Sequence, residues 1–505
     1  MAIDSKHPRY EDLLPEWTQL RDLKKGERAV KDKGTTYLPP TAGMIEDGMS
    51  SGQQGATDYE RYKARARVPN FIKRAVEKLV GVMHQKEPSF KLPAVMEPLI
   101  ERATINGESL AALLRKINAE QILVGRIGLL ADFPENPATG EVLPYIATYD
   151  AECGINWNED TKDDVHSLKF VVLDETKHMI NEQFNWELQK SFRVLMLNME
   201  GPAPQYQLGV FTDADGSSTT FSPEMMKIPS IRGRTLQELP FVFINSSDVL
   251  PEPDDAPLTD LGNLVLAIYR GEADYRQSLY MQGQDTLVVT GGSAEYDEHG
   301  VKKEMRIGTG SRIDVDIGGD AKFIGVASTG LSEQRTALEN DKKEAEEMSG
   351  SLIAPGAGQE SGVSLNTRLT ARTATLNQIV LTGALGLTKI LRVMATWIGA
   401  NPDEVEVLPN MEFADFDLGG DDLVKIMTAK AQGAPISLES IHAIMLERGI
   451  TQLSFEDEMA LLEEEAAAAF SKAKEDPMND PTLTDTNAND PNAIDPNAVD
   501  PNADV

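Results

Sequence analysis

Apolar residues recur at two different periods along this chain, and the changes of period divide it. From 59 to 83, YERYKARARVPNFIKRAVEKLVGVM carries Phe71, Val76, Leu79 and Met83 at helical spacing. SLAALLRKINAEQILVG (109–125) has a wide apolar stripe of Leu110, Leu113, Leu114, Ile117, Ile122 and Leu123, and it runs into IGLLADFP, a short buried strand stopped by Pro134. Residues 1–40 read as short polar helices before a turn at Pro39-Pro40. From about 142 to 245 the period becomes strand-like in LKFVVLDE, SFRVLMLNM, YQLGVF and FVFIN. GPAP and DADGSS punctuate that stretch as turns, so an antiparallel sheet is expected.

PEPDDAPL (251–258) reads as a linker into a long helix over 258–282, with Leu261, Leu264, Val265, Ile268, Tyr269, Tyr275 and Leu279 mostly at i, i+3, i+4 and i+7. Strand signals return between 285 and 327 in DTLVVTGG, RIDVDIGG and AKFIGVAS. LSEQRTALENDKKEAEEM (331–348) is helical but polar nearly all round, the pattern of a helix that bridges solvent or meets polar neighbours. A Gly-rich segment follows, then a long apolar helix from about 372 to 399 and two more helices around 437–448 and 454–474. The alternation of periods predicts a mixed α+β chain. Residues 476–505 end in DPNAI, DPNAV and DPNAD, with seven Asp and no basic residue, a composition expected to stay disordered.

Composition narrows the classes. The chain has 505 residues, 41% hydrophobic and 26% charged, enough for a sizeable core and two or three domains. Its formal net charge of −33 argues against a protein that wraps nucleic acid with its whole surface. Cys153 is the only cysteine, which excludes an internal disulfide or a cysteine-rich metal site. The opening MAIDSKHPRYEDLLPEW is too polar for a signal peptide. TATLNQIVLTGALGLT (373–388) is uncharged but shorter than the roughly 20 residues a bilayer needs, so a buried helix and no membrane partner are expected.

Candidate chemistry is sparse. In SLIAPGAGQESGVSLNTRLTA (351–371) the glycines Gly356, Gly358 and Gly362 read GxGxxxG, and no lysine follows Gly362. A P-loop needs GxxxxGK[ST] after a strand, so that backbone N–H groups and a lysine converge on phosphate. GxGxxG also fails, because Ser361 stands where the third glycine would be. A flexible joint between helices is the simpler reading. None of the six histidines has HxxxH or HExxH spacing, so neither a metal site nor a cofactor is expected. Asp132 follows a buried strand and reads better as a turn residue than as a catalytic carboxylate, and GTGSR (308–312) lacks the spacing of a nucleophile elbow. The basic run Arg61, Lys63, Arg65, Arg67, Lys73 and Arg74, extended by Lys78, is either a solvated helix face or a set of intersubunit or phosphate contacts. It lacks interleaved aromatics for base stacking.

HPRYEDLLPEWTQLRDLKKGERAVKDKGTTYLPP, YERYKARARVPNF, GRIGLLADFP and PLTDLGNLVLAIYRGEADYRQSLY resemble tailed-bacteriophage portal proteins, the head-to-tail connector family, over roughly residues 7–460. The resemblance implies a ring-forming fold of wing, stem, clip and crown with long helices and a small β-rich clip. Laid onto this chain it gives a wing over 1–257, a first stem helix over 258–282, a clip over 283–330 and a second stem helix over 331–349. A tunnel loop would occupy 350–371, a long wing helix and return segment 372–430, crown helices 431–475 and an acidic tail 476–505. By position alone, Gln359, Glu360, Ser361, Asn366 and Arg368 would face DNA. Glycines there permit positive φ and movement, and short polar side chains can touch phosphate without reading bases.

What the resemblance implies about function is a conduit without an active site. Twelve copies would form a ring at one capsid vertex of the virion, assembled in the host cytoplasm. The ring would pass double-stranded DNA during packaging and ejection and contact the major capsid protein, terminase and head-completion or adaptor proteins. Two alternatives stand beside it: a nucleotide-using or hydrolytic enzyme built around the Gly-rich loop 355–362, and a non-ring capsid or scaffold interaction protein.

Overall fold

The computed structural model describes residues 2–133, 144–162, 165–180, 184–199, 203–212, 220–231, 233–282, 286–290, 317–324, 329–350, 362–411, 420–447, 450–451 and 453–475. The fold is mixed helix and sheet, in two compact units, Met1–Phe413 and Ala414–Val505. Four elements open the first unit: α1 (Pro8–Lys25), α2 (Glu27–Asp32), α3 (Ala42–Glu46) and α4 (Gln54–Arg65). They lead to α5 (Phe71–Met83), β1 (Ser89–Lys91), α6 (Pro98–Glu101) and α7 (Leu110–Val124). Then come β2 (Arg126–Asp132), β3 (Tyr145–Asp150), β4 (Gly154–Lys162) and β5 (Val165–Asp174). A small hairpin, β6 (Lys177–Ile180) and β7 (Trp186–Gln189), leads into β8 (Ser191–Asn198), β9 (Gln205–Thr212) and β10 (Phe241–Asn245).

The N-terminal region is more ordered than its polarity suggests. α1 runs for 18 residues despite Pro15, and buries Tyr10, Leu13, Trp17, Leu20 and Leu23. Those positions repeat at helical spacing, but charges between them mask the stripe. Arg21 of α1 bridges Glu120 of α7, at 2.8 Å, and Glu152 after β3. The expected single helix over 59–83 is two helices, because Pro69 sits between α4 and α5 and the residue before a proline resists helical torsions. Asn70 then caps α5 by accepting from the Lys73 backbone N–H at 3.2 Å.

α7 starts at Ser109, whose hydroxyl accepts from the Ala112 N–H, and stops at Gly125 with φ +78°. A Cβ at Gly125 would stand 3.1 Å from the Asp255 carbonyl oxygen, so glycine serves both the left-handed turn and the close approach of the 254–256 chain. The 251–258 segment is therefore a docked strap and not a free linker. Pro251, Pro253, Ala256 and Leu258 are buried, and Asp254 accepts from Ser246 and Ser247.

The strand region is antiparallel, as its alternation predicts. One sheet has the order β10-β2-β3 and another β4-β5-β8-β9. After the strap come α8 (Thr259–Gln282), β11 (Thr286–Thr290), β12 (Asp320–Ile324), α9 (Thr329–Gly350) and α10 (Gly362–Ile398). β13 (Glu406–Leu408) pairs with β1 and closes the unit. α10 lies on β10, β2 and α7. Its Gly383 and Gly386 let it approach: Cβ atoms there would stand 2.6 Å from the Asn118 side chain and 2.4 Å from Ile244.

The segment Ala374–Ile398 is long and apolar enough to cross a membrane, yet 67% of its most apolar window is buried by the rest of the chain. Its exposed positions Gln378, Leu381, Leu385, Lys389 and Arg392 form one stripe, which fits a core helix with a single outward face. The second unit contains α11 (Gly420–Ala431), α12 (Leu438–Glu447) and α13 (Phe455–Glu475); the sequence pattern anticipates the last two but not α11. Within it, the His442 ring meets Phe455 edge-on at 5.4 Å. The acidic repeat after residue 475 lies outside the described residues.

Candidate functional site

α8 and α9 flank the strand pair β11–β12, the helix–strand–helix succession that the polarity pattern marks out. Their contacts fix direction. Glu272 of α8 meets Lys342 of α9 at 2.5 Å, whereas Tyr275, one turn later in α8, acts electrostatically on Arg335, earlier in α9. The two helices therefore run antiparallel. Gly271 allows the close approach, since a Cβ there would stand 2.9 Å from Leu338. Glu272 also accepts from Arg276 at 2.5 Å. Burial by itself would raise the Glu272 carboxyl, but the hydrogen bonds and charges of Lys342 and Arg276 outweigh it and hold the group below its ordinary value.

α9 also packs on α5. Leu338 and Ala345 are buried, and the rest of its described side chains are exposed or half-buried. Lys343 and Glu347 face each other at 3.9 Å across its exposed surface, a contact of little energetic weight.

The basic run divides in two. Arg65 turns inward: its guanidinium donates to Gln277 at 2.7 Å and lies 3.7 Å from the Tyr280 ring centroid. Beside it, the Tyr62 hydroxyl donates to Asp274 at 2.6 Å, so α4 is fastened along α8. Arg61, Lys63 and Lys73 meet Asp58, Glu60 and Glu77 on their own helices, and Arg74 lies over Phe71. Arg61, Arg67, Lys73 and Arg74 stay exposed. The structure thus leaves part of the run on the surface and commits Arg65 to the fold.

Of the five positions expected to face DNA, Gln359, Glu360 and Ser361 lie outside the described residues. Asn366 and Arg368 are not in a loop, because α10 begins at Gly362, ten residues before the expected start. GVSLNTRLTA reads as polar, but Leu365 and Leu369 are one turn apart and no proline interrupts them, so the backbone continues the apolar helix. α9 likewise continues to Gly350.

Elsewhere, charged groups serve structure. Asp132 accepts from Arg193 at 2.6 Å, Arg193 also meets Glu175 at 2.8 Å, and the Tyr149 hydroxyl donates to Glu175 at 2.6 Å. This network ties β2 and β3 to the β5–β8 end of the larger sheet, which accounts for Asp132 without chemistry. Sequence reasoning missed Arg126. It is 1% exposed, and its guanidinium lies 3.5 Å from the Phe243 ring centroid and 4.4 Å from that of Trp157. His7 also stacks on Trp157, with ring centroids 4.0 Å apart. The three guanidinium nitrogens have no protein hydrogen-bond partner among the described residues. Burial pushes Arg126 down to about 9, with the nearby carboxylates Glu252, Asp254 and Asp248 opposing that fall. Only the alternation Arg126-Ile127-Gly128-Leu129, with the arginine at a strand start, hints at it in the sequence.

Among the described residues, no group of three or more His, Cys, Asp or Glu is placed to hold a metal ion. Burial, with Asp150, Glu152 and Asp174 nearby, pushes the Cys153 thiol up to about 12, so it is a poor nucleophile. A cavity of about 330 Å³ opens at the Leu168 and Leu197 end of the larger sheet, lined mainly by apolar side chains with Lys169, Glu238 and Lys389 among them.

A protein-family profile described as a domain of unknown function (DUF4055) matches residues 257–398, the stretch from the start of α8 to the end of α10. Among solved structures, the chain is similar to one from the neck of an empty GTA particle computed with C6 symmetry. That match has 13% identity, covers 81% of this chain and 93% of the other, and has a TM-score of 0.36. A chain from the virion of a native gene transfer agent (GTA) particle is 13% identical, over 80% of this chain and 98% of that one, with a TM-score of 0.37. A third, from the neck of a native GTA particle computed with C12 symmetry, is 13% identical over 74% and 89%, with a TM-score of 0.36. Likeness at this level carries no argument about the fold. No curated protein matches the chain.

Proposed function

We propose that this chain is a structural component of a phage-type head-to-tail assembly, and within it a portal subunit. Twelve copies would ring one capsid vertex, pass double-stranded DNA, and engage terminase and head-completion proteins. One observation carries the reading: two antiparallel helices, α8 and α9, flank a short strand pair, and most of the described side chains of α9 are exposed, with only Leu338 and Ala345 buried among them. A helix that is polar nearly all round yet held in place by an ion pair to the buried Glu272 carboxylate suits a position between neighbours and an aqueous channel. The described ion networks join elements of the fold, and none converges with a nucleophile in a cleft. We therefore read the chain as a conduit and not an enzyme.

Two experiments test this. Under the conduit reading, thermal melts with nucleotides and Mg²⁺ leave Tm unchanged. A concentration-dependent rise would mark native-state ligand binding and favour the enzyme alternative built around 355–362. Deleting 355–363 should spare ring assembly and impair DNA packaging or retention. Unaltered packaging and retention would reduce that segment to a connector.

A further inference from the structure

The β6–β7 hairpin exposes large apolar side chains. Ile180 pairs with Trp186 and His178 with Leu188, so those four side chains share one face. Phe184 sits at the turn with φ +62°. Phe184 is 84% exposed, Trp186 69%, Leu188 60% and Ile180 52%. An isolated two-stranded hairpin is marginal in water, and a contiguous apolar patch of this kind marks an interaction site.

The same chain carries a complementary hollow. The 330 Å³ cavity is lined by Leu168, Leu197, Met199, Val242, Leu250 and Val393 among others, and Met199 and Leu250 at its edge are themselves exposed. A cavity of about 150 Å³ accepts a benzene ring, so this one has room for a large aromatic side chain. Knob and hollow lie at opposite ends of one ladder. The hairpin leaves β5 and β8 at Asp174 and Ser191, whereas the cavity is at Leu168, Leu197 and Met199. The eight residues of β8 between these ends span roughly 25 Å. Within a chain the aromatic face remains open to solvent and the cavity remains unfilled by it.

We infer that the β6–β7 hairpin of one copy seats Phe184 or Trp186 in the cavity at the Leu168–Leu197 end of a second copy's larger sheet. The two surfaces are different patches of one chain, so the contact is heterologous. Repetition of such a contact closes a ring when the rotation permits and otherwise runs into a filament. Each aromatic buries about 150–250 Å², and a stable interface needs about 800 Å² per partner. The hairpin is accordingly the anchor of a larger contact. This deepens the ring reading and rests on it for the second copy.

The test uses the full chain with Cys153→Ser. One sample carries Phe184→Cys, another Leu250→Cys, and the two are mixed under mild oxidation. The inference predicts cross-linked pairs in the mixture and none in either sample alone. It also predicts that Phe184→Ser with Trp186→Ser raises the concentration for half-assembly at least tenfold. Tm of the unassembled chain should stay unchanged, since both side chains are exposed. Rings that form normally in the double variant, with no mixed cross-link, would overturn the hairpin contact and leave the ring reading standing. Cross-links confined to Phe184→Cys alone would show a two-fold hairpin contact and overturn it as well. Failure of the unaltered chain to assemble at all would overturn both readings.

Discussion

α9 and α10 are neighbours in sequence, both long and unbroken by proline, and they are held in opposite ways. α10 buries Leu376, Ile379, Val380, Leu387, Ile390, Leu391, Met394 and Trp397 against the sheets and α7, whereas α9 buries Leu338 and Ala345. The first belongs to the core of its own chain, and its position is fixed by the fold. The second is held by its ion pair with Glu272, its two buried residues and its fit against Gly271, and most of its described side chains are exposed. The contrast separates folding from assembly: substitutions in α10 should act on the monomer, and substitutions on the open faces of α9 should act elsewhere.

The largest effect is expected from Leu387→Ala, which removes a fully buried side chain. Unfolding titrations should show a loss of about 2–5 kcal/mol. A loss below about 1 kcal/mol would mean that α10 is not the core helix described. Next comes Glu272→Gln, which removes charge-assisted hydrogen bonds from Lys342 and Arg276 and should cost about 1.5–3 kcal/mol. Its pH dependence has a definite sign. The folded carboxyl lies below its ordinary value of 4.5, so its contribution is full above that pH and is lost as pH falls through the depressed value. The stability gap between wild type and Glu272→Gln should therefore shrink on acidification, and a gap that widens would contradict the assignment.

A smaller effect is expected at Arg126. Replacing a buried, unpaired cation by an apolar side chain of similar reach should leave stability within about 1 kcal/mol or improve it. Arg126→Met tests that by denaturant unfolding, and a large loss would show that stacking on Phe243 and Trp157 outweighs desolvation. The smallest is Lys343→Ala on the open face of α9, where monomer Tm should not change. A clear drop would place that face inside the fold and erase the contrast.

The sequence discloses α10, α7 and the antiparallel strands because their apolar periods are long and uninterrupted. It discloses the character of α9 because an all-round polar helix has few explanations. Element edges are harder to see. Leu365 and Leu369 carry α10 back to Gly362, but Ser364, Asn366 and Thr367 beside them look like loop. α1 is obscured in the same manner by charges between Leu13, Trp17 and Leu20. Of the residues marked as a site, the pairing of Arg65 with Gln277 and Tyr280 depends on positions more than 200 residues away, which no local pattern encodes. Arg126 was invisible for a related reason: the rings that flank it come from β4 and β10.

Electron microscopy of the purified chain tests the central claim most directly. The account predicts rings with a central hole, formed by the protein alone or when capsid or scaffold proteins are added. A monodisperse monomer at micromolar concentration, with no rings under either condition, would contradict it.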